Sequence, residues 1–93
     1  MAIRLNCDMG TSFGIWKMGN DEEIMPYADM ANLACGFHAS DAVTMNRSVL
    51  LAKKYNVTIG ANPSYQDLIG FGRRSILCSL EEIKSIVLYQ LGA

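Results

Sequence analysis

The sequence predicts an α/β fold made of three parallel βα units. Three short, largely apolar segments, near residues 3–8, 29–35 and 57–62, each end at a turn that carries polar residues or glycine. Helix-like segments follow the second and third of them, near residues 41–55 and 80–91. Because strands and helices alternate along the chain, the strands are expected to be parallel, with right-handed connections.

The first unit combines a short strand with a long loop. Residues 2–7 alternate in polarity, which predicts a strand that ends near Asp8. Residues 11–20 are rich in glycine and are expected to form a loop. Asn20 or Asp21 then begins a short helix over residues 22–25, and Pro26 limits its length.

The second unit has clearer boundaries. Residues 29–35 are predicted to form a buried strand that Gly36 ends. Ser40 or Asp41 is a suitable N-cap for a helix that runs to about Tyr55. Asn56 then suits the left-handed position after the helix.

The third unit begins with a β-branched strand over residues 57–62, followed by a loop over residues 63–74. Ser79 and Glu82 have the spacing of a capping box, which predicts the start of the last helix, and Gly92 is a candidate for its end. A three-stranded sheet would leave unpaired outer edges. Residues 1–93 are therefore expected to be the N-terminal part of a larger, barrel-like domain.

Composition excludes several classes of function. The chain is 51% hydrophobic and 18% charged, with a formal net charge of −1 and no basic stripe that would suit nucleic acid or an anionic membrane. No apolar segment approaches the roughly 20 residues of a membrane span, and no signal-peptide core is evident, so the chain is expected to be cytoplasmic. The three cysteines lack paired spacing and are expected to be small buried residues, with a catalytic thiol as the alternative.

Polar side chains at the predicted strand ends are candidates for catalysis. Asp8 follows the first strand, His38 and Asp41 follow the second, and Asn62 ends the third. Parallel strands bring these ends to one edge of the sheet, where a carboxylate and an imidazole could orient water, accept a proton or help to hold a divalent metal. The structural alternatives are a helix cap for Asp41 and a buried, hydrogen-bonded side chain for His38.

A second candidate is the loop that contains Arg73 and Arg74. Gly70 and Gly72 allow a tight turn, and two guanidinium groups can bind a carboxylate or a phosphate. The alternative is a surface turn in which one arginine pairs with Asp67.

Several segments together resemble the LamB/YcsF family, described as the A subunit of the prokaryotic 5-oxoprolinase. They are residues 6–10, 12–14, 25–26, 31–39, 63–65, 67–68, 70–74 and 89–93. The resemblance implies the N-terminal part of a seven-stranded TIM-like barrel related to the polysaccharide-deacetylase fold. It also implies ATP-dependent opening of the 5-oxoproline lactam to L-glutamate, together with partner subunits B and C.

The implied reaction suggests roles for the candidate residues, since the resemblance supports their positions and not their roles. Asp8 or His38 would act as the base, and Arg73 or Arg74 would hold the substrate carboxylate or a phosphate. Asn62 and Asp41 are further candidates for substrate or phosphate binding. ATP would be required, with a divalent metal, most simply Mg²⁺, accompanying it.

The chain departs from the family pattern at three positions. Thr11 stands where the family commonly has Glu, Ser40 where it commonly has Gly, and Asn62 where it usually has His. Because an amide does not titrate near neutral pH, the alternative is a catalytically inactive truncated paralogue or a partner-binding fragment. The three-stranded chain by itself is not expected to turn over substrate. A third hypothesis, a metal-dependent deacetylase-like hydrolase, rests on fold analogy.

Overall fold

The computed structural model describes residues 3–93 and contains one parallel sheet. Its strands, in spatial order, are β1 (Asn6–Met9), β2 (Met30–Ala34) and β3 (Thr58–Asn62). Helix α1 (Asp21–Ile24) and a 3-10 turn (Met25–Tyr27) come before β2, and the longer helices are α2 (Ala42–Lys54) and α3 (Leu80–Gly92). The predicted α/β class and the parallel arrangement of neighbouring strands are confirmed.

Strand register gives the sheet one polar face. Asp8 of β1 pairs with Asn32 of β2, and Asn32 pairs with Gly60 of β3. Side chains alternate between faces along a strand, so this row lies on the same face as Asn6 and Asn62. Four of these five residues carry an amide or a carboxylate, which makes this face unsuitable for a hydrophobic core.

The opposite face of the sheet carries the core. Met9 and Leu33 are buried there together with Ala31. Helix α2 covers them and contributes Ala52, which is fully buried. Met25, from the turn before β2, is also fully buried in this cluster. The hydrophobic effect thus holds α2 against one side of the sheet and leaves the polar side free.

Helix α2 begins and ends close to the predicted positions. The Asp41 carboxylate accepts hydrogen bonds from the backbone N–H groups of Val43 and Thr44, at 2.9 and 3.0 Å. At the other end Asn56 has φ of +55°, the left-handed conformation expected there. These local signals fix the helix ends because they satisfy backbone groups that the helix itself leaves unpaired.

Helix α3 has the predicted capping box, with both reciprocal hydrogen bonds between Ser79 and Glu82 at 3.1 Å. Gly92 is its last residue rather than the residue after it. The buried Gln90 side chain accepts from the backbone N–H of Ser64 and donates to its carbonyl, at 3.0 and 2.7 Å. These bonds join α3 to the segment after β3.

Within residues 3–93, helix α3 is covered only in part. Leu80 and Leu88 are 75% and 67% exposed. In a βα repeat, a helix packs between its own strand and the next one. Residues 3–93 contain no fourth strand, so much of the apolar side of α3 has no covering element within them.

The predicted start of the first strand is wrong. Within the described residues the strand begins at Asn6 and not at residue 3, while residue 2 lies outside them. Ile3 is 97% exposed, so the apolar alternation there does not correspond to a buried face. The Leu5 N–H instead donates to the Asp29 carboxylate, at 2.6 Å.

None of the helices within residues 3–93 has the length and apolar character needed to cross a bilayer.

Candidate functional site

The polar face brings Asp8 into a hydrogen-bonded row that the sequence reasoning did not anticipate. The Nδ2 atom of Asn32 donates to Asp8 Oδ1 at 3.0 Å and to Asn6 Oδ1 at 2.5 Å. Asp8 itself is exposed, in keeping with its position near the carboxyl end of β1. Strand alternation could have placed Asn6 and Asp8 on one face, but the contact with Asn32 depends on the register between β1 and β2.

His38 is held just beyond the end of β2. Gly36, with φ of +92°, turns the chain there, and its N–H donates to the Ala39 carbonyl at 2.9 Å. The turn buries the imidazole to 4% exposure, with its ring edge-on to Phe71 at 5.0 Å between centroids. Within residues 3–93, the buried Nδ1 atom has no hydrogen-bond partner. Since buried polar atoms are nearly always hydrogen-bonded, an unpaired imidazole nitrogen marks this ring as a candidate functional group.

Electrostatics connect His38 to two other candidate residues. Burial lowers the pKa of His38 below its ordinary 6.5, and the positive charge of Arg73 lowers it further. The negative charge of Asp8 acts in the opposite direction and raises it. The structure therefore brings both Asp8 and Arg73 within electrostatic range of His38. With a lowered pKa the imidazole is mostly neutral at neutral pH, as a proton acceptor must be.

The loop after β3 covers His38. Phe71 and Gly72 both have positive φ, and the Gly72 backbone passes so near His38 that a Cβ there would lie 2.8 Å from the His38 Cβ. The buried Asp67 fixes this loop by accepting hydrogen bonds from Gly70 N–H at 3.0 Å and from the Arg74 guanidinium. The pairing lowers the pKa of Asp67 to about 2, chiefly through Arg74.

Of the two arginines predicted to bind an anion, only Arg73 is without an acidic partner among the described residues. Arg74 is engaged by Asp67, which is the structural alternative that the sequence offered. Arg73 is exposed, and its charge acts on His38. The geometry therefore separates a loop-fixing role for Arg74 from a position beside the imidazole for Arg73.

Asp41 takes the structural alternative too. Its Oδ1 caps α2, while Oδ2 accepts from the backbone N–H of Gly14 and the hydroxyl of Thr44, both at 2.8 Å. These bonds lower its pKa to about 2, with the bond from Gly14 as the largest cause. Because both oxygens are occupied, the expectation that Asp41 binds substrate or phosphate does not fit its contacts. Asp41 instead ties the first loop to α2.

Asn62 ends β3 on the same face as Asp8 and is half-buried. The nearby Cys35 thiol donates to the Leu33 carbonyl at 3.4 Å, and burial raises the pKa of this thiol, with the Asn62 backbone acting in the opposite direction. A thiol with a raised pKa is a poor nucleophile, in line with the expectation of a structural cysteine. The polar face thus places Asp8 and Asn62 on its two outer strands.

A cavity of about 570 Å³ opens beside His38. Its walls come from the first loop, including Phe13, Trp16 and Lys17, and from Leu68 and Phe71 in the covering loop. The two loops lie more than 45 residues apart along the chain, so no local sequence pattern predicts that they share a cavity. The size suits a small molecule.

The His, Cys, Asp and Glu side chains of the described residues do not form a metal site by themselves. Within the described residues, no group of three His, Cys, Asp or Glu side chains converges as metal ligands do. The groups that could bind or react at the candidate site are the imidazole of His38, the carboxylate of Asp8 and the guanidinium of Arg73.

A parallel sheet with a polar face, and an imidazole held beyond its strand ends, defines an α/β protein whose candidate site lies at the carboxyl edge of the sheet. The LamB/YcsF family model matches residues 3–93. The chain belongs to the LamB/YcsF family.

Relatives with assigned names are close in sequence. The chain is 65% identical over 91 residues to the 5-oxoprolinase A subunit of Vibrio vulnificus, a match that covers 98% of this chain and 37% of the relative. It is 63% identical to the 5-oxoprolinase A subunit numbered 3 in Pseudomonas aeruginosa, covering 98% of this chain and 36% of the relative. The chain therefore spans little more than a third of the length of these relatives, whose names mark them as parts of a multi-subunit enzyme.

A solved structure has the same arrangement. The crystal structure of the lactam utilization protein from Thermus thermophilus matches this chain with a TM-score of 0.95 at 47% identity. The match covers 100% of this chain and 38% of that chain.

Proposed function

We propose that this chain forms part of the A subunit of an ATP-dependent 5-oxoprolinase, which opens the 5-oxoproline lactam to L-glutamate. The observation that carries the proposal is the placement of a buried imidazole within electrostatic range of both a carboxylate, Asp8, and a guanidinium, Arg73. The names of the relatives support the substrate class. In this proposal the three strands belong to a seven-stranded barrel, and the complex includes subunits B and C.

The chemistry that such a site must perform follows from the stability of a lactam. Transfer of the γ-phosphoryl group of ATP to the lactam oxygen forms an O–P bond, releases ADP and makes the ring carbon electrophilic. One water then adds to that carbon and the ring C–N bond breaks, which leaves a protonated amine and a glutamyl phosphate. A second water releases inorganic phosphate and gives L-glutamate.

Three residues of this chain suit particular tasks in that reaction. His38, neutral because of its lowered pKa, can accept the proton of the attacking water. Asp8 can stabilise the imidazolium that results, since its charge already raises the pKa of His38. Arg73 can bind the substrate carboxylate or a phosphoryl oxygen. ATP, with Mg²⁺ as its usual companion, is a co-substrate in this scheme.

The test is a chimera in which residues 3–93 of this chain replace the matching segment of the Vibrio vulnificus relative. With subunits B and C supplied, glutamate formation from 5-oxoproline should depend on ATP. Asp8→Asn and His38→Gln should each lower kcat about 100- to 10,000-fold. Lys84→Gln, on the exposed side of α3, is the matched control and should leave kcat unchanged. Full turnover by both site variants would refute the proposal.

A second candidate function is favoured by Asn62. If the family histidine at this position is essential, the chain is a non-catalytic member that serves in binding partner subunits. The chimera would then be inactive, and Asn62→His would restore turnover. An active chimera with Asn62 in place would exclude this second candidate.

A further inference from the structure

We propose that Asn32 is a positioning residue that holds the Asp8 carboxylate in its working orientation. The inference rests on the proposed function only for the role of Asp8, because the contacts themselves are properties of the sheet. Asn32 is not among the residues that sequence reasoning assigned to the site.

Asn32 uses both of its amide hydrogens. One N–H donates to Asp8 Oδ1 at 3.0 Å and the other to Asn6 Oδ1 at 2.5 Å. Asp8 and Asn32 face each other directly in the register, while Asn6 lies two residues earlier on β1. Because a carboxylate can only accept, the bond also fixes which end of the Asn32 amide faces β1.

The second carboxylate oxygen of Asp8, Oδ2, remains available. Among residues 3–93, no hydrogen bond engages Asp8 Oδ2. Asn32 therefore restrains the carboxylate at one atom and leaves the other free to act on a neighbour. One restrained oxygen and one free oxygen suit a carboxylate that acts on His38. The pKa of His38 responds to the charge of Asp8.

Strand β3 leaves room for the Asn32 amide. Gly60 occupies the same row, and a Cβ built there would lie 3.1 Å from Asn32 Oδ1. A side chain at this position would press on the amide from the side opposite to Asp8. Each strand thus contributes one part of the row: the acid from β1, the amide from β2 and the space from β3.

The test uses His38 as a reporter, since it is the only histidine in the chain. Its imidazole signals are followed by NMR as a function of pH in the 93-residue protein. Asp8→Asn should lower the pKa of His38, because the charge that raises it is removed. If Asn32 positions Asp8, then Asn32→Ala should also lower this pKa, and should have no further effect in the Asp8→Asn background.

Two further variants keep the result interpretable. Gly60→Ala disturbs the same amide from β3, and should shift the His38 titration in the same direction as Asn32→Ala. Asn46→Ala, on the exposed side of α2, is the matched control and should leave it unchanged. An unchanged His38 titration in Asn32→Ala and Gly60→Ala, alongside a shift in Asp8→Asn, would overturn the inference.

Turnover by the chimera separates this inference from the proposed function. Asn32→Ala should lower kcat about 100-fold with KM little changed, as expected when a catalytic group is misplaced by about 1 Å. If Asp8→Asn abolishes turnover but Asn32→Ala does not lower it, the proposed function stands and the positioning role of Asn32 is wrong.

Discussion

The environment of His38 shows most directly how the candidate site is arranged. Two charges act on it with opposite sign, Arg73 lowering its pKa and Asp8 raising it. Burial lowers the pKa more than either charge changes it. A neutral imidazole at neutral pH is the result, and the protonation state of this one side chain reports on the residues around it.

Removing either charge should therefore move the His38 titration in a predictable direction. Arg73→Gln should raise the pKa of His38, because a like charge no longer opposes protonation, whereas Asp8→Asn should lower it. NMR of the single imidazole measures both shifts. Lys84→Gln serves as the control for loss of a distant positive charge. Shifts of the same sign in both site variants would mean that the two residues do not flank the ring.

Ser40 carries backbone strain that a glycine would relieve. It is fully buried with φ of +75°, a backbone conformation that residues other than glycine rarely adopt. Ser40→Gly should raise the free energy of unfolding by about 1 kcal/mol, measured by urea denaturation. Ser85→Gly, in the exposed middle of α3, should instead lower it by about 0.5 kcal/mol. Destabilisation by Ser40→Gly would show that the hydroxyl matters more than the strain.

Sequence reasoning could select single residues and pairs that are close along the chain, but not the pairs that join distant segments. Asp8 and Asn62 were foreseeable, because each lies at or near the carboxyl end of a strand, and these ends meet at one edge of a parallel sheet. Asn32 was not foreseeable, because its contact with Asp8 depends on how the residues of β1 and β2 are aligned. The sequence offered a helix cap for Asp41 and an arginine partner for Asp67, but the bond from Gly14 to Asp41 joins residues 27 positions apart and no local pattern identifies it.

At the scale of elements, two carboxylates hold loops in place. Asp41 joins the first loop to the start of α2, and Asp67 fixes the loop that covers His38. Each has a pKa of about 2 in the folded protein, against an ordinary value of 3.8. Both stay charged in the folded state at a pH at which the unfolded chain would bind a proton.

This difference predicts how stability depends on acid. Because the folded pKa values are depressed, the two carboxylates contribute fully above pH 3.8, and their contribution is lost as the pH falls towards about 2. The Asp41→Asn/Asp67→Asn double variant should show a shallower loss of stability over this range in urea denaturation. Glu23→Gln, an exposed acid on α1, is the control for loss of charge. An unaltered slope in the double variant would contradict the role given to these bonds.

The covering loop should control the environment of His38. A Cβ at Gly72 would clash with Ser64 and His38, so Gly72→Ala should displace the loop. His38 would become more exposed, and its pKa should rise towards 6.5. Gly14→Ala is the matched control, because it also has positive φ but open space around it. A His38 titration that moves equally in both variants would argue against the loop as a cover.

Elements were more predictable than the contacts between them. Helix α2 and the start of α3 were foreseen, because caps act within a few residues of the helix end. The first strand was placed too early, since alternation at Ile3 and Leu5 has no covering partner. The cavity beside His38 joins two loops that are far apart in sequence, beyond the reach of local patterns.

At the scale of the whole molecule, the chain presents one filled face and one open face. The core lies between the sheet and α2, while the polar face carries Asn6, Asp8 and Asn32 without a covering layer among residues 3–93. The relatives are much longer, with this chain spanning 37% of the Vibrio vulnificus protein. In a closed barrel the polar face would line the interior, which is the arrangement that the proposed function requires.

The central claim is that Asp8 and His38 act as one unit in lactam opening, and a double-mutant cycle on kcat tests it most directly. In the chimera with the Vibrio vulnificus relative, kcat is measured for Asp8→Asn, His38→Gln and the double variant. Residues that act together are strongly non-additive, so the double variant should lose no more activity than the more damaging single variant. Losses that multiply in the double variant, or single variants that retain full kcat, would contradict the claim.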